Sequence, residues 1–383
     1  MASFLKTRRA RSLFWQGLAI AVVFAIVGWL AHNTMTNLAS RGIMVGFDFL
    51  GRSARFPISE SVVPYEPTDS FGWAFLVGLG NTLYISFVII ALSTGLGLVL
   101  ALARRSPHPL ASGAAGTLVD VTRNTPLVVQ LLFWYGAVTF GLPSLSEAME
   151  ILPGAFLTDR GLFLPRIHPN GPIALVILVA LAGLVLAAIL TRRDRRERIE
   201  TGRYPHMGRR MLVATVIVST LLWVGGGVTL QLEYPYLGRF NFLGGVTLTP
   251  EFVAVIVGLT LYSAGFSVEI IRGGIDAVSR GQWEAARALG LGERQTLRLV
   301  ILPQALRTII PPMTSQFIHI VKNSTLALVV AYPELNFITA TTINQTGQAL
   351  EGIAILMAIF MAISLSASVF MNICNKKLAL VER

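Results

Sequence analysis

The sequence of 383 residues holds one cysteine, five histidines and only 13% charged residues, and each scarcity removes a class of function. A single cysteine, Cys374, excludes a disulfide framework; it reads as a small apolar filler near the end of the last apolar run. The histidines (His32, His108, His168, His206 and His319) lack metal-ligand spacing among themselves or with Cys374. There is no Gly-x-x-x-x-Gly-Lys-Ser/Thr loop, so the chain has no evident means of holding nucleotide phosphates. No nucleophile–base pair stands out, which argues against a membrane enzyme. No internal repeat stands out either, which weighs against a secondary carrier built on inverted repeats. A soluble domain carries about 25% charged residues, roughly twice the share found here.

Apolar residues make up 54% of the chain and fall in long runs, with neither strand alternation nor an amphipathic helical stripe. The expected fold class is therefore an all-α integral membrane protein. At about 20 residues per crossing, eight spans are expected at roughly 12–30, 75–102, 126–142, 172–190, 211–232, 251–271, 312–332 and 351–373. Of the 31 Lys and Arg residues, 24 then fall in the N-terminal tail, the 103–125, 191–210 and 272–311 loops and the C-terminal tail. Six fall in the loops between them, and Lys322 alone lies inside a span. Positive residues concentrate on the cytoplasmic side, so both termini and the 272–311 loop are expected there. The net charge of +11 is thus a topology signal and not a nucleic-acid surface. Residues 12–30 follow Lys6, Arg8, Arg9 and Arg11 and precede no small-residue cleavage site, which reads as a retained signal anchor. The arginine-rich hairpin at 192–210 pins the orientation of the spans on either side, and each basic residue near anionic headgroups adds about 1 kcal/mol of attraction.

The polar 272–311 loop is out of keeping with the rest of the chain. Ser279-Arg280-Gly281-Gln282 reads as a capping box, a Ser N-cap with Gln three residues on. Gly290 and Gly292 can supply the left-handed turn that stops the first helix. A second helix is expected from Glu293 to Ile301, closed by Pro303. Trp283, Arg287 and Gly290 follow one helical path, and Ala285 and Ala286 are small enough for a groove to approach closely. Glu284 either faces a basic or amide partner in a docked protein or pairs with Arg280 or Arg287 on a solvated face, an interaction worth about 0–1 kcal/mol.

The run Glu284-Ala285-Ala286, three residues, Gly290, nine residues, Val300-Ile301-Leu302-Pro303 resembles the coupling loop of ABC-importer permeases. It matches every fixed position but one, where Val300 replaces Ile. Asn81-Thr82-Leu83-Tyr84, Arg123-Asn124-Thr125-Pro126, Gly258-Leu259-Thr260-Leu261-Tyr262-Ser263, Glu269-Ile270-Ile271-Arg272-Gly273, Pro303-Gln304-Ala305-Leu306-Arg307 and Lys322-Asn323-Ser324-Thr325-Leu326 resemble the polar amino-acid subfamily of type I importer permeases. The resembling regions cover about half the chain, in the family's order. The extra first span and a two-span insertion at about 143–250 are similar to the long permease subunit of the general L-amino-acid importers (Aap/Bzt type).

The resemblance implies a type I transmembrane domain over 75–373, interrupted by the insertion, after an N-terminal anchor and periplasmic loop (1–74) and before a cytoplasmic tail (374–383). It implies broad-specificity L-amino-acid import across a bacterial inner membrane, with another small polar solute such as an opine or polyamine as the alternative substrate and an ion-coupled carrier as the alternative class. ATP and Mg²⁺ would sit on a separate ATPase dimer, and this chain would bind no cofactor. The implied partners are those ATPases, a second related permease subunit, a periplasmic amino-acid-binding protein and membrane lipids. Glu284, Ala285, Ala286, Gly290, Leu302 and Pro303 would form the ATPase-coupling set.

For the substrate pathway, Lys322 is the candidate cation, since charge inside a span points to a polar pathway or a buried partner. His319 and Asn323 accompany it, and Glu269 would border the same cavity, offering opposite charges to a zwitterion. The competing reading is a structural ion pair or a snorkelling lysine. Tyr262, Gln130, Ser263 and Ser86 are further lining candidates, or helix–helix hydrogen bonds. Thr125 and Pro126 are expected to cap and start the span at 126–142, with Arg123 bracing the coupling loop.

Overall fold

The computed structural model describes residues 8–40, 46–202 and 205–378. The side chain of Cys374 and the terminal residues Lys6 and Arg383 lie outside what is described. Twelve helices are found among the described residues: α1 (Arg8–Ser40), α2 (Phe71–Arg104), α3 (Pro109–Asn124), α4 (Leu127–Gly141), α5 (Ile173–Thr201), α6 (Met207–Gly225), α7 (Pro250–Asp276), α8 (Arg280–Ala288), α9 (Glu293–Gln295), α10 (Leu302–Asn323), α11 (Leu335–Thr346) and α12 (Ala349–Leu378). Of these, α1, α2, α5, α6, α7 and α12 are long and apolar enough to cross a membrane. The bent run Glu293–Val330 plus Leu335–Thr346, with a 50° break between its parts, passes the same test only as a pair, as a broken span or a re-entrant loop. The expected span at 126–142 corresponds to α4, whose 15 residues rise about 22 Å, less than the roughly 30 Å hydrocarbon layer.

The chain divides into two compact units, residues 1–135 with 251–383, and residues 136–250. The first carries the polar loop between α7 and α10. Its core joins Ala101 of α2, Val119 of α3, Val268, Ile271 and Ile275 of α7, and Ile301, Ala305, Ile309 and Met313 at the start of α10. A second cluster, around Phe49, Ala54, Phe56, Phe71, Phe75, Leu335 and Ile338, packs residues 49–56 onto the starts of α2 and α11.

Several expected elements differ. The segment 103–125, read as a loop, contains α3, whose buried Ala115, Val119 and Thr122 make one amphipathic stripe that a span-by-span reading passes over. Thr125 does not cap α4: its hydroxyl donates to the Val121 carbonyl of α3 at 2.8 Å. The expected outer loop 333–350 is mostly α11, begun by the buried Glu334, whose carboxylate accepts from the Asn336 and Phe337 N–H groups at 2.8 Å each. Pro303 does not close a helix. Residues 296–301 are π-helical and run straight into α10, where Pro303 sits in the first turn and its missing N–H costs little.

The second unit adds β-structure that no apolar run announces. Strands β1 (Met149–Leu152), β2 (Ala155–Thr158), β3 (Gly161–Leu164) and β8 (Val246–Leu248) form an antiparallel sheet in that order. Strand β4 (Arg166–Asn170) pairs β5 (Thr229–Glu233), and β6 (Tyr236–Leu237) pairs β7 (Phe242–Leu243). The β5 strand occupies the end of what was expected to be the 211–232 span. Rings of Phe156 and Phe163 meet Phe242 at centroid distances of 4.8 and 4.7 Å. The helical hairpin α5–α6 completes the unit, and the arginines from Arg192 to Arg198 extend α5 as helix rather than forming a loop.

Candidate functional site

The loop between α7 and α10 folds as a helix, an elbow and a second helical run. Gly290 adopts φ +73°, a backbone that costs a side chain about 1–2 kcal/mol. Its N–H donates to the Arg287 carbonyl, and the Leu291 N–H to the Ala286 carbonyl, so the last carbonyls of α8 are satisfied as the chain turns back. Gly292 takes no such conformation: at φ −66° it is the N-cap of α9, and its N–H donates to the Gln295 side chain at 3.1 Å. The expected Ser279 capping box is absent, since that side chain makes no cap hydrogen bond.

One face of α8 is anchored and the other is free. Ala286 is 2% exposed and Trp283 packs with Leu297 and Val300 against the core of α2, α3, α7 and α10. Ala286 and Trp283 therefore hold the helix to its own chain, so that Ala286, expected to let a groove approach closely, faces inward. Glu284, Ala285, Arg287 and Gly290 face outward. Glu284 has no ion pair among the described residues; Arg287 lies 3.9 Å from Glu293 instead. Leu289, 80% exposed at the tip of the elbow, joins this free face, and its position beside the turn glycine was the signal for it. Leu302 and Pro303 are exposed at the start of α10, and Gln304 donates to Gln282 at 3.0 Å, tying α10 back to α8.

Glu269 sits at the centre of an ion cluster. Its carboxylate takes Arg104 of α2, Arg123 of α3 at 3.4 Å and Arg272 of its own helix at 2.9 Å. Arg105 pairs with Asp276, which also holds Arg272 at 3.1 Å. Three helices are thus joined near the end of α7, and Arg123 braces α7 rather than the loop that follows it.

The structure does not bring Glu269 and Lys322 together. Gly274 of α7 packs on Ile309 and the Ala305 carbonyl, and consecutive spans run antiparallel. Glu269 is then level with about residue 314, and Lys322 stands about 12 Å further along α10. Lys322 and His319 are exposed, and Lys322 has no ion pair among the described residues. Asn323 ends the helix, half-buried. Tyr262 packs on Phe266 at a centroid distance of 5.0 Å. Gln130 is buried, its amide donating to the Thr122 and Thr125 carbonyls at 2.7 and 2.9 Å, which locks α4 to the end of α3. The buried hydroxyls of Ser86 and Ser263 find no partner among the described residues.

Asn81 and Thr82, quoted above only for their resemblance, hold the break in the bent span. The Asn81 amide donates to the carbonyls of Pro333 and Glu60, both at 2.8 Å, and accepts from the Val62 N–H at 3.1 Å. Thr82 accepts from the Leu335 N–H at 3.0 Å. A polar pair about three turns inside an apolar helix was the signal for this role.

Comparison with known proteins places this geometry. Residues 209–380 match the family described as "Binding-protein-dependent transport system inner membrane component". The chain is 43% identical to the putative amino-acid ABC transporter permease protein YhdX of Escherichia coli (strain K12), over 97% of this chain and 95% of that one. It is 37% identical to the general L-amino acid transport system permease protein AapQ of Rhizobium johnstonii, over 97% and 93%. It is 35% identical to the glutamate/glutamine/aspartate/asparagine transport system permease protein BztB of Rhodobacter capsulatus, over 98% and 95%. This chain belongs to the family of amino-acid ABC transporter permeases.

Proposed function

We propose that this chain is one of two related permease subunits of an ATP-driven L-amino-acid importer in a bacterial inner membrane, with both termini cytoplasmic. It hydrolyses nothing itself. ATP and Mg²⁺ are held by a dimer of ATPase subunits that docks on α8, and a periplasmic binding protein delivers the amino acid to the opposite face. The names of the relatives support the substrate class. Residues 1–74 serve as anchor and periplasmic segment, 75–373 as the transmembrane domain with its insertion, and 374–383 as a tail.

The observation that carries the coupling role is the outward Glu284, without an ion pair among the described residues, on a helix whose opposite side is fixed by Ala286 and Trp283. A free carboxylate beside small Ala285 and exposed Leu289 suits a cleft lined by basic or amide groups. Because α8 shares one core with α2, α3, α7 and α10, closure of the ATPase pair shifts these helices as a rigid body. Lys322, with His319 and Asn323 beside it, remains the proposed cation of the pathway, and Tyr262 a lining group.

The test is reconstitution in liposomes with the ATPase, the second permease and the binding protein. The reading predicts ATP-dependent uptake of labelled L-amino acids that stops when the binding protein is omitted. Uptake by this chain alone, driven by an ion gradient, would contradict it.

A further inference from the structure

The α5–α6 hairpin ends in a built basic cavity. The two helices approach closely: a methyl group on Gly183 would collide with Thr215, and one on Gly208 with Thr191. Small residues at such crossings let helix backbones pack tightly. The Asp194 carboxylate accepts the Gly208 N–H at 2.8 Å, fixing the start of α6 against the last turns of α5. Around this contact lies a cavity of about 510 Å³, lined by Asp194, Arg195, Arg198, His206, Arg209 and Leu212 among others.

Among the described residues, three guanidinium groups border one space that contains a single carboxylate. Asp194 is already engaged by a backbone N–H, and neither Arg195 nor Arg209 has an ion pair among the described residues. Planar forked donors of this kind match the oxygens of a phosphate group. The cavity also has an apolar side. Leu212 forms part of its wall, and beyond it the exposed Leu186, Ile189, Val213 and Val216 continue along two helices long and apolar enough to cross a membrane. A free phosphate has no use for that apolar continuation, whereas an acyl chain does.

We propose that this cavity is a phosphate-group site occupied by the headgroup of an anionic phospholipid, with Arg195 and Arg209 on the phosphate and Leu212 directing an acyl chain along the hairpin. This is a discrete site, distinct from the diffuse attraction of any basic surface to a membrane, and it does not depend on the transport reading.

The full-length chain, in nanodiscs of phosphatidylcholine with a minor fraction of phosphatidylglycerol, is released into mild detergent and its retained lipids are counted by native mass spectrometry. Wild type is expected to hold one phosphatidylglycerol. The double variant Arg195→Gln/Arg209→Gln should lose it about tenfold. The double variant Arg192→Gln/Arg193→Gln, which removes the same charge outside the cavity, should keep it. Equal loss in both doubles, or no retained phosphatidylglycerol in wild type, overturns the site. Displacement of the lipid by millimolar inorganic phosphate overturns the lipid assignment in favour of a soluble anion.

Discussion

Glu269 of α7 receives Arg104 from the end of α2, and the same carboxylate also binds Arg123 of α3 and Arg272. One acid therefore holds three helices near the end of α7. Removing its charge takes one partner from each arginine, although Arg272 keeps Asp276 and Arg104 keeps Asp120. Glu269→Gln is expected to destabilise the chain by about 1.5–3 kcal/mol, read as a lower melting temperature in detergent, with amino-acid selectivity unchanged in the protein that remains folded. A shift in selectivity at unaltered stability would return Glu269 to the substrate pathway.

Asn81→Ala tests the break in the bent span. The substitution removes the amide that donates to the Pro333 and Glu60 carbonyls and accepts from the Val62 N–H. Of the three, the Pro333 carbonyl is buried, and leaving it without a partner costs about 1–3 kcal/mol. The expected outcome is a sharp loss of folded protein on size-exclusion chromatography. Thr82→Val, which removes only the acceptor for the Leu335 N–H and the donor to Gly78, should be milder. If Asn81→Ala behaves like wild type, the amide does not hold the break.

The elbow and the family were legible in the chain because both rest on local sequence. The turn at Gly290 follows from a glycine at the end of a short polar helix, and charge sorting separated the loops without any tertiary information. Tertiary partners were not legible. That Ala286 faces inward and Ala285 outward depends on which side of α8 meets Ile301 and Ala305, and the spacing of two adjacent alanines does not say. The depth offset between Glu269 and Lys322 needed the Gly274–Ile309 contact. The strands at 149–164 are four residues each, too short for periodicity, although Pro153-Gly154 and Arg160-Gly161 mark their turns.

Lys322→Met separates pathway from scaffold. With an exposed side chain and no ion pair among the described residues, the lysine is not expected to support the fold, so the melting temperature should stay within about 0.5 kcal/mol equivalent of wild type. A fall in amino-acid uptake in that folded variant is the expected result. Unchanged uptake would remove Lys322 from the pathway.

Gly290 gives a graded test of the elbow. Asn tolerates the left-handed backbone better than other side chains, and there is open space around a side chain at this position. Gly290→Asn should therefore preserve ATPase co-purification, while Gly290→Val, strained by about 1–2 kcal/mol or more, should reduce it. Identical behaviour of the two variants would mean that the turn geometry is not what the ATPase recognises.

The most direct measurement is the Glu284→Lys variant, co-expressed with the ATPase, the second permease and the binding protein. Because Glu284 is exposed and makes no ion pair within the described chain, the variant should fold with an unaltered melting temperature. The predicted result is loss of the co-purifying ATPase, or of binding-protein-stimulated ATP hydrolysis and uptake together. A folded variant that retains the ATPase and transports at the wild-type rate would contradict the account.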